Sequence, residues 1–502
     1  LVFLLQPAFA ASTNEWLTWG YDQQRTGWNQ AETTLSKDNV SQLELKWKTQ
    51  LPTPSSEVVL STMTAPLVAV VNGPQGPRTV VYVVGSDNTV YAIDAQTGNI
   101  SWQRRFPNTQ TPKQAATWLC SNTQNATPVI DKDAGIIYVS TSDGKLRGLN
   151  LVDGEDRMQP AEFTTPFARN WSLNLVDGVI YSSTARGCGG SVAHFTALDL
   201  KDPAHRTVEF FTSSGRPAGA WGRGGMVFGP KGIYTQTADG PYDPAGGWFG
   251  NTVMTLNLKD LRLLDSYTPA NWEALNKTDL DLGSASPVVF PFDKWTLVAS
   301  AAKESVISLL DANSLGGTDH HTPLYQSPRW GNDELLLAGR GLWGAMATWQ
   351  DGQGKRFLLM PVWGPPSKDA PKFQYTYGDA GQGSVMAFEV RRDPNSDKPT
   401  LIPTWMSRDM HVPDPPVVAN GVVFALQTGE NTAQGRGITA KDRSTPITNA
   451  VLYALDGATG KELYSSAKLI DSWTHFSEPV VAGGQVYVST WDGRLYAFGL
   501  KK

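Results

Sequence analysis

The stretch QVYVSTWDGRLYAFGL, residues 485–500, carries the pattern that decides the fold. Two runs of alternating apolar and polar residues meet at Asp492-Gly493, the signature of antiparallel strands joined by a tight turn. The pattern recurs as VVYVVGSDNTVYAIDAQTGNISW (80–102), IIYVSTSDGKLRGLNLVDGE (136–155) and VLYALDGATGKELY (451–464). Diverged copies end at Thr196–Leu200, Thr255–Leu258, Ser308–Ala312 and Met386–Val390, which brings the repeat to eight copies. The last copy stops at Phe498-Gly499-Leu500 without an outer strand. A strand that completes it lies at the other end of the chain, in LELKWKTQL (Leu43–Leu51), where Trp47 takes the place that Trp102 has in the first copy. An all-β fold follows: an eight-bladed β-propeller of four-stranded blades, its ring closed by the N-terminal strand, an arrangement that leaves few exposed sheet edges. A solenoid of the same repeats would need capping ends rather than a shared blade.

Composition agrees. The 502 residues include 18 Trp, 48 Gly and 33 Pro with only 18% charged residues, as expected of many short strands and turns. The net charge of −5 and the lack of a Lys/Arg run argue against nucleic acid as a partner. Residues 1–10, LVFLLQPAFA, resemble the end of a secretory signal with an Ala8-Phe9-Ala10 cleavage site and are too short to span a bilayer. The expected organisation is a signal remnant at 1–10, an N-terminal extension at 11–42 and the propeller at 43–502, in a periplasmic or secreted protein with no transmembrane segment. In an oxidising compartment Cys120 and Cys188 could pair or remain two thiols. The sequence holds no C-x-x-C-H motif for covalently attached haem.

In a propeller the loop leading into each blade and the loop between its second and third strands open on one face. The long insertions Gln236–Asn251, Pro361–Ser384 and Gly429–Asn449 are of the second kind, and the Trp-bearing segments at Trp118, Trp171, Trp221, Trp343 and Trp473 are of the first. One face is therefore expected to surround a ligand, with tryptophans offering flat apolar surfaces to a planar ring or a sugar. Trp47, Trp102 and Trp405, at outer-strand positions, are expected to pack blade against blade. Two charges stand out on the ligand face. Asp281 precedes the first strand of the fifth repeat in DLDLGSASPVV, and Lys303 sits in a turn where other copies carry Asp-Gly or Asp-Asn.

The A-x-D-x-x-T-G repeat endings and the eight-blade count resemble the quinoprotein alcohol dehydrogenases that use pyrroloquinoline quinone, PQQ. Segments such as AWGRGGMVFGPKGIYTQTADG, DLDLGSASPVV and GLWGAMAT look nearest to the polyvinyl-alcohol-dehydrogenase type. The resemblance implies that Asp281 is the general base toward an alcohol hydroxyl. It implies that Lys303 polarises the quinone carbonyls and that Trp221 floors the cofactor. Trp343 and Arg223 join them as candidate cofactor contacts, with Arg169 and Arg186 as further arginines of the ligand face. Asp239, in Thr237-Ala238-Asp239-Gly240, and Asp281 are the implied Ca²⁺ ligands. Two departures stand out: the family's adjacent Cys-Cys pair is absent, and the third-repeat loop SSTARGCGGS (182–191) offers no carboxylate for the metal. A Cys120–Cys188 disulfide between adjacent blades is compatible with the propeller. His320, His321, His411 and His475 show no metal-ligand spacing and are expected to be solvated or packed, with a contact at the rim open to His475.

The implied function is oxidation of a small or polymeric alcohol, with electrons passing to a separate cytochrome or other acceptor. Two alternatives use the same repeats: a non-catalytic scaffold resembling the outer-membrane assembly lipoprotein, and a sugar-binding propeller that would use the tryptophans without Asp281 or Lys303.

Overall fold

A computed structural model describes residues 14–501 apart from 57, 74–75, 125, 186, 216, 336, 338 and 434–436. The expected signal remnant and Arg186 lie outside the described residues. Alternating apolar sequence becomes eight antiparallel sheets around one axis, and each sheet buries the faces that its pleat sets at period two. The strands of blades 1 to 7 fall within 67–105, 129–162, 169–211, 227–267, 288–329, 347–406 and 417–465. Blade 8 takes its three inner strands from 480–500 and its outer strand from Leu43–Gln50, which pairs antiparallel with Arg494–Leu500. The all-β class and the eight-bladed ring expected from the repeats are what the chain adopts.

The repeat ending T-G has a packing reason. Trp47 donates its Nε1–H to the Ala95 carbonyl (2.9 Å), Trp102 to that of Leu151 (3.1 Å) and Trp405 to that of Gly457 (2.9 Å). Each outer-strand indole thus docks on the turn of the following blade. Beneath the rings lie Gly98, Gly154 and Gly460, all at positive φ, where a Cβ would stand 2.7, 2.6 and 2.5 Å from the indole. Only glycine satisfies both the left-handed backbone and the contact.

The stretch 14–30 carries no repeat pattern, yet it is built into the axis on the face opposite Lys303. It runs around the innermost strands and supplies the acceptors that their free edges need. Trp16 and Val68 exchange backbone hydrogen bonds (2.7 and 2.8 Å). The amides of Ile130, Phe228, Val289, Thr348 and Val418 donate to the carbonyls of Leu17, Gln23, Gln24, Thr26 and Gly27. Trp28–Asn29 then pairs in parallel with Val418–Ala419, and Asn29 donates to the Val481 carbonyl of blade 8 (2.8 Å). Arg25, 1% exposed, secures this ring by donating to the Leu173 and Gly224 carbonyls, 2.9 Å each.

Cys120 and Cys188 form a disulfide that joins the loop before blade 2 to the loop of blade 3, with Cα atoms 5.3 Å apart across 68 residues of sequence. Among the described residues no helix is long and apolar enough to cross a membrane.

Two measurements test this packing. Trp405→Ala removes a fully buried indole and is expected to lower the unfolding free energy by roughly 3–5 kcal/mol. Gly460→Ala strains the backbone beneath that ring and is expected to cost about 1–3 kcal/mol, both read from urea midpoints at unchanged m-value. Reduction of Cys120–Cys188 is expected to cost about 2–4 kcal/mol in the same assay, and the Cys120→Ser, Cys188→Ser double variant should match the reduced protein.

Candidate active site

Blades 4 and 5 bring the charged residues together. The helix Trp272–Thr278 ends at Asp279, whose left-handed backbone (φ 56°) turns the chain inward and whose N–H caps the Leu275 carbonyl. Two residues on, Asp281 precedes the single turn Leu282–Ser284, which is anchored when the Trp221 amide donates to the Gly283 carbonyl (3.0 Å). Lys303 comes over from the turn between Trp295–Ser300 and Val306–Asp311, as the repeat register requires. Gly341, at positive φ, lies so close to the Lys303 carbonyl that a Cβ there would overlap it. That carbonyl also accepts from Asn332 Nδ2 (2.8 Å).

The Lys303 ammonium, on a side chain 1% exposed, donates to Asp279 Oδ1 (2.7 Å) and to the Asp279 carbonyl (3.0 Å), and it forms an ion pair with Asp281 Oδ1. The other Asp281 oxygen accepts the Trp221 indole N–H at 2.7 Å. Asp239 lies alongside, held by Asn251 Nδ2 (3.0 Å), while Asn251 Oδ1 accepts from the Leu282 amide (2.9 Å). Asn251 thereby ties the long loop of blade 4 to the segment that carries Asp281. Carboxylate oxygens of Asp239, Asp279 and Asp281 lie within 4.8 Å of one another. Burial first, and then the charge of Asp281, push the Asp239 carboxyl up to about 7.

Above this cluster the tryptophans form a wall. Trp343 and Trp363 stack at 5.0 Å with 6° between their planes, and Trp221 meets Trp343 edge-on at 5.4 Å. Lys303 Nζ stands 4.8 Å from the Trp343 ring centre and 5.2 Å from that of Trp221, within cation–π range. The rings and the ammonium border a cavity of about 330 Å³, which Trp118, Trp171, Arg169, Arg443, His475 and Phe476 enclose on its other side. A volume of that order suits a small-molecule ligand.

The candidate residues separate into two sets. Asp281, Lys303, Trp221, Trp343 and Asp239 meet at one place. Arg223 does not reach the cavity: it lies one layer deeper, beneath the Phe476 ring (4.1 Å to its centre). There it pairs with Asp414 and with Glu478 (2.7 Å), and Glu478 also accepts from Trp19 Nε1 (2.7 Å). Both buried carboxylates meet the same nitrogen, Nη1, of that guanidinium. Trp473 is turned away from the axis to stack on Trp491 at 5.3 Å, and Trp118 is held on the rim by its bond to the Ile438 carbonyl (2.9 Å). Arg169 borders the cavity, its Nη1 donating to the Leu119 carbonyl beside the disulfide (2.7 Å).

His475 is packed rather than solvated, stacked on Phe476 at 3.8 Å. Its Nδ1 bonds the buried Glu430 carboxylate, which also faces Arg443 at 3.3 Å, and burial holds the imidazole down to about 4 and therefore neutral. Asp279, Asn251, Trp363 and Glu430 carried no sequence signal of their own, although Asp279 stands two residues from Asp281 and offered the nearest clue.

Comparisons with known proteins agree with this architecture. A repeat-family model described as "Outer membrane protein assembly factor BamB" matches residues 20–193. A quinohemoprotein alcohol dehydrogenase, ADH-IIG of Pseudomonas putida, is 25% identical over 208 residues, 40% of this chain and only 26% of that protein's length. Among solved structures, the quinohemoprotein alcohol dehydrogenase of Comamonas testosteroni superposes with a TM-score of 0.60 at 15% identity, over 98% of this chain and 82% of the other. A europium-containing methanol dehydrogenase gives 0.61 at 14% identity, over 97% of this chain and 98% of the other. The eight-bladed propeller of this chain is thus one that resembles the PQQ-dependent quinoprotein alcohol dehydrogenases.

Proposed function

We propose that this chain is an exported PQQ-dependent dehydrogenase that oxidises an alcohol, with Asp281 as general base and a separate protein or dye as electron acceptor. The observation that carries the reading is the enclosure of Lys303 by Asp279 and Asp281 at the floor of a tryptophan-walled cavity. The disulfide suits an oxidising compartment.

The donor set fits a divalent cation. Three carboxylates converge and Lys303 balances one of them, while burial, and then the charge of Asp281, drives Asp239 toward protonation. A hard dication coordinated by oxygen relieves the same repulsion. Asp279 supplies the third carboxylate that the third-repeat loop lacks. When bound, PQQ would supply a two-electron acceptor, and Ca²⁺ a Lewis acid beside it.

The chain's own residues then have distinct work. Trp221, Trp343 and Trp363 present apolar ring faces to a planar cofactor and exclude water from it. The Trp221 indole holds one oxygen of Asp281 in place, which leaves the carboxylate oriented to take the hydroxyl proton of the substrate. Lys303 offers its ammonium to negative charge that develops on a neighbouring oxygen. The scaffold reading rests on the BamB-described match, but residues 20–193 end before Asp239, Asp279, Asp281 and Lys303, so that match bears on the repeats alone.

The test is dye reduction by the full chain after loading with PQQ and Ca²⁺, across short primary and secondary alcohols. Alcohol-dependent reduction is expected, and its absence with every alcohol would reject the enzyme reading. Asp281→Asn is expected to lower kcat by at least about 100-fold while the quinone stays bound. Asp279→Asn is expected to act first on the cation, raising the Ca²⁺ concentration needed for half activity by about tenfold or more. Retained turnover in Asp281→Asn would place the base elsewhere.

A further inference from the structure

A second cavity lies at the opposite end of the axis. It measures about 830 Å³ and is bounded by Tyr21 and Trp28 of the N-terminal segment and by Phe228, Phe290, Thr296 and Arg356 of blades 4 to 6. Arg356 opens the strand Arg356–Trp363 and is 7% exposed. Its guanidinium lies over the rings of Trp28 (5.5 Å) and Phe290 (5.9 Å). Nη2 makes a long bond to Gln350 Oε1 (3.3 Å), and the buried Nε has no hydrogen-bond partner.

Among the described residues no carboxylate pairs with this arginine. The two acids on the cavity wall are engaged elsewhere: Glu15 with Lys132 Nζ (2.6 Å) and the Val70 amide (2.7 Å), and Asp22 with the Thr26 amide (2.9 Å) and hydroxyl. On the opposite face the buried Arg223 and Arg443 each have a carboxylate, and Arg25, buried near the axis, is saturated by backbone carbonyls instead. Burial alone lowers the Arg356 guanidinium, to about 10, with no charge nearby to offset it. A desolvated cation without a counter-ion is costly, and ring contacts offset only part of that cost.

We propose that this cavity binds a small monocarboxylate with an apolar body, its carboxylate on Arg356 and its body against Trp28, Phe228 and Phe290. The planar guanidinium matches a carboxylate by two parallel hydrogen bonds, and Nε is one of the donors that such a pair uses. A single cation on the wall selects a single negative charge, and the aromatic lining selects against a purely polar anion. A ligand seated here touches both the N-terminal segment and three blades, so it stabilises the fold on binding. The site is separate from the cavity at Lys303 and does not depend on the function proposed for it.

Sodium octanoate is the probe, with octanamide as its uncharged counterpart, titrated calorimetrically into the full chain and followed by thermal unfolding. Saturable one-site binding of octanoate is expected, with a midpoint that rises with concentration, and octanamide should bind at least about tenfold more weakly. Arg356→Gln is expected to remove that preference for the charged ligand, and Arg356→Lys to retain part of it. Thr296→Trp keeps the arginine but projects an indole into the cavity, and is expected to weaken both ligands at least about tenfold even if Arg356→Gln folds poorly. No binding of octanoate at millimolar concentration, equal affinity for octanamide, or unchanged affinity in Arg356→Gln or Thr296→Trp would each overturn the proposal.

Discussion

The site depends on one interaction, a buried ammonium set among carboxylates. Lys303 is almost fully removed from water, and its charge is tolerable only because Asp279 and Asp281 accept from it. The reverse holds for the acids, whose mutual repulsion Lys303 relieves in part. Neither side could be kept in this position alone, so the cluster fixes the backbone of two loops from one blade. The same balance leaves room for a further cation, and that need links a structural charge cluster to the proposed redox function.

The propeller makes such a cluster possible because each blade presents two loops to the same face. Short turns and the N-terminal segment close the other face, where Leu17, Gln23, Gln24, Thr26 and Gly27 supply acceptors to inner strands that would otherwise end unpaired. The segment removes backbone groups from competition for ligands there, but it also walls in Arg356 without a counter-ion. Stability comes from the docked indoles and their glycines, which repeat around the ring and leave the axial residues to diverge.

Much of this was legible in the sequence because the repeat carries register. Trp47 standing in for Trp102 identified the closing strand, and the spacing from Asp281 to Lys303 placed both on one face. Asp279 was not legible, since its inward turn depends on a short helix, Trp272–Thr278, that has no counterpart in the other repeats. The pairing of Arg223 was not legible because its partners, Asp414 and Glu478, lie 191 and 255 residues away and only the closed ring brings them near. Glu430 and His475 meet for the same reason. The N-terminal segment was invisible as structure, because pairing with six separate strand edges leaves no periodicity along its own sequence.

The central claim is that Asp239, Asp279, Asp281 and Lys303 form one site for a cation and a quinone. Equilibrium dialysis of the purified chain against PQQ, once with Ca²⁺ and once with a chelator, tests it most directly, with tryptophan fluorescence as a second readout. The expected result is about one PQQ retained per chain with quenched fluorescence when Ca²⁺ is present, and a loss of at least about tenfold in affinity when it is chelated. No retained quinone in the presence of Ca²⁺, or equal retention with the chelator, would contradict it.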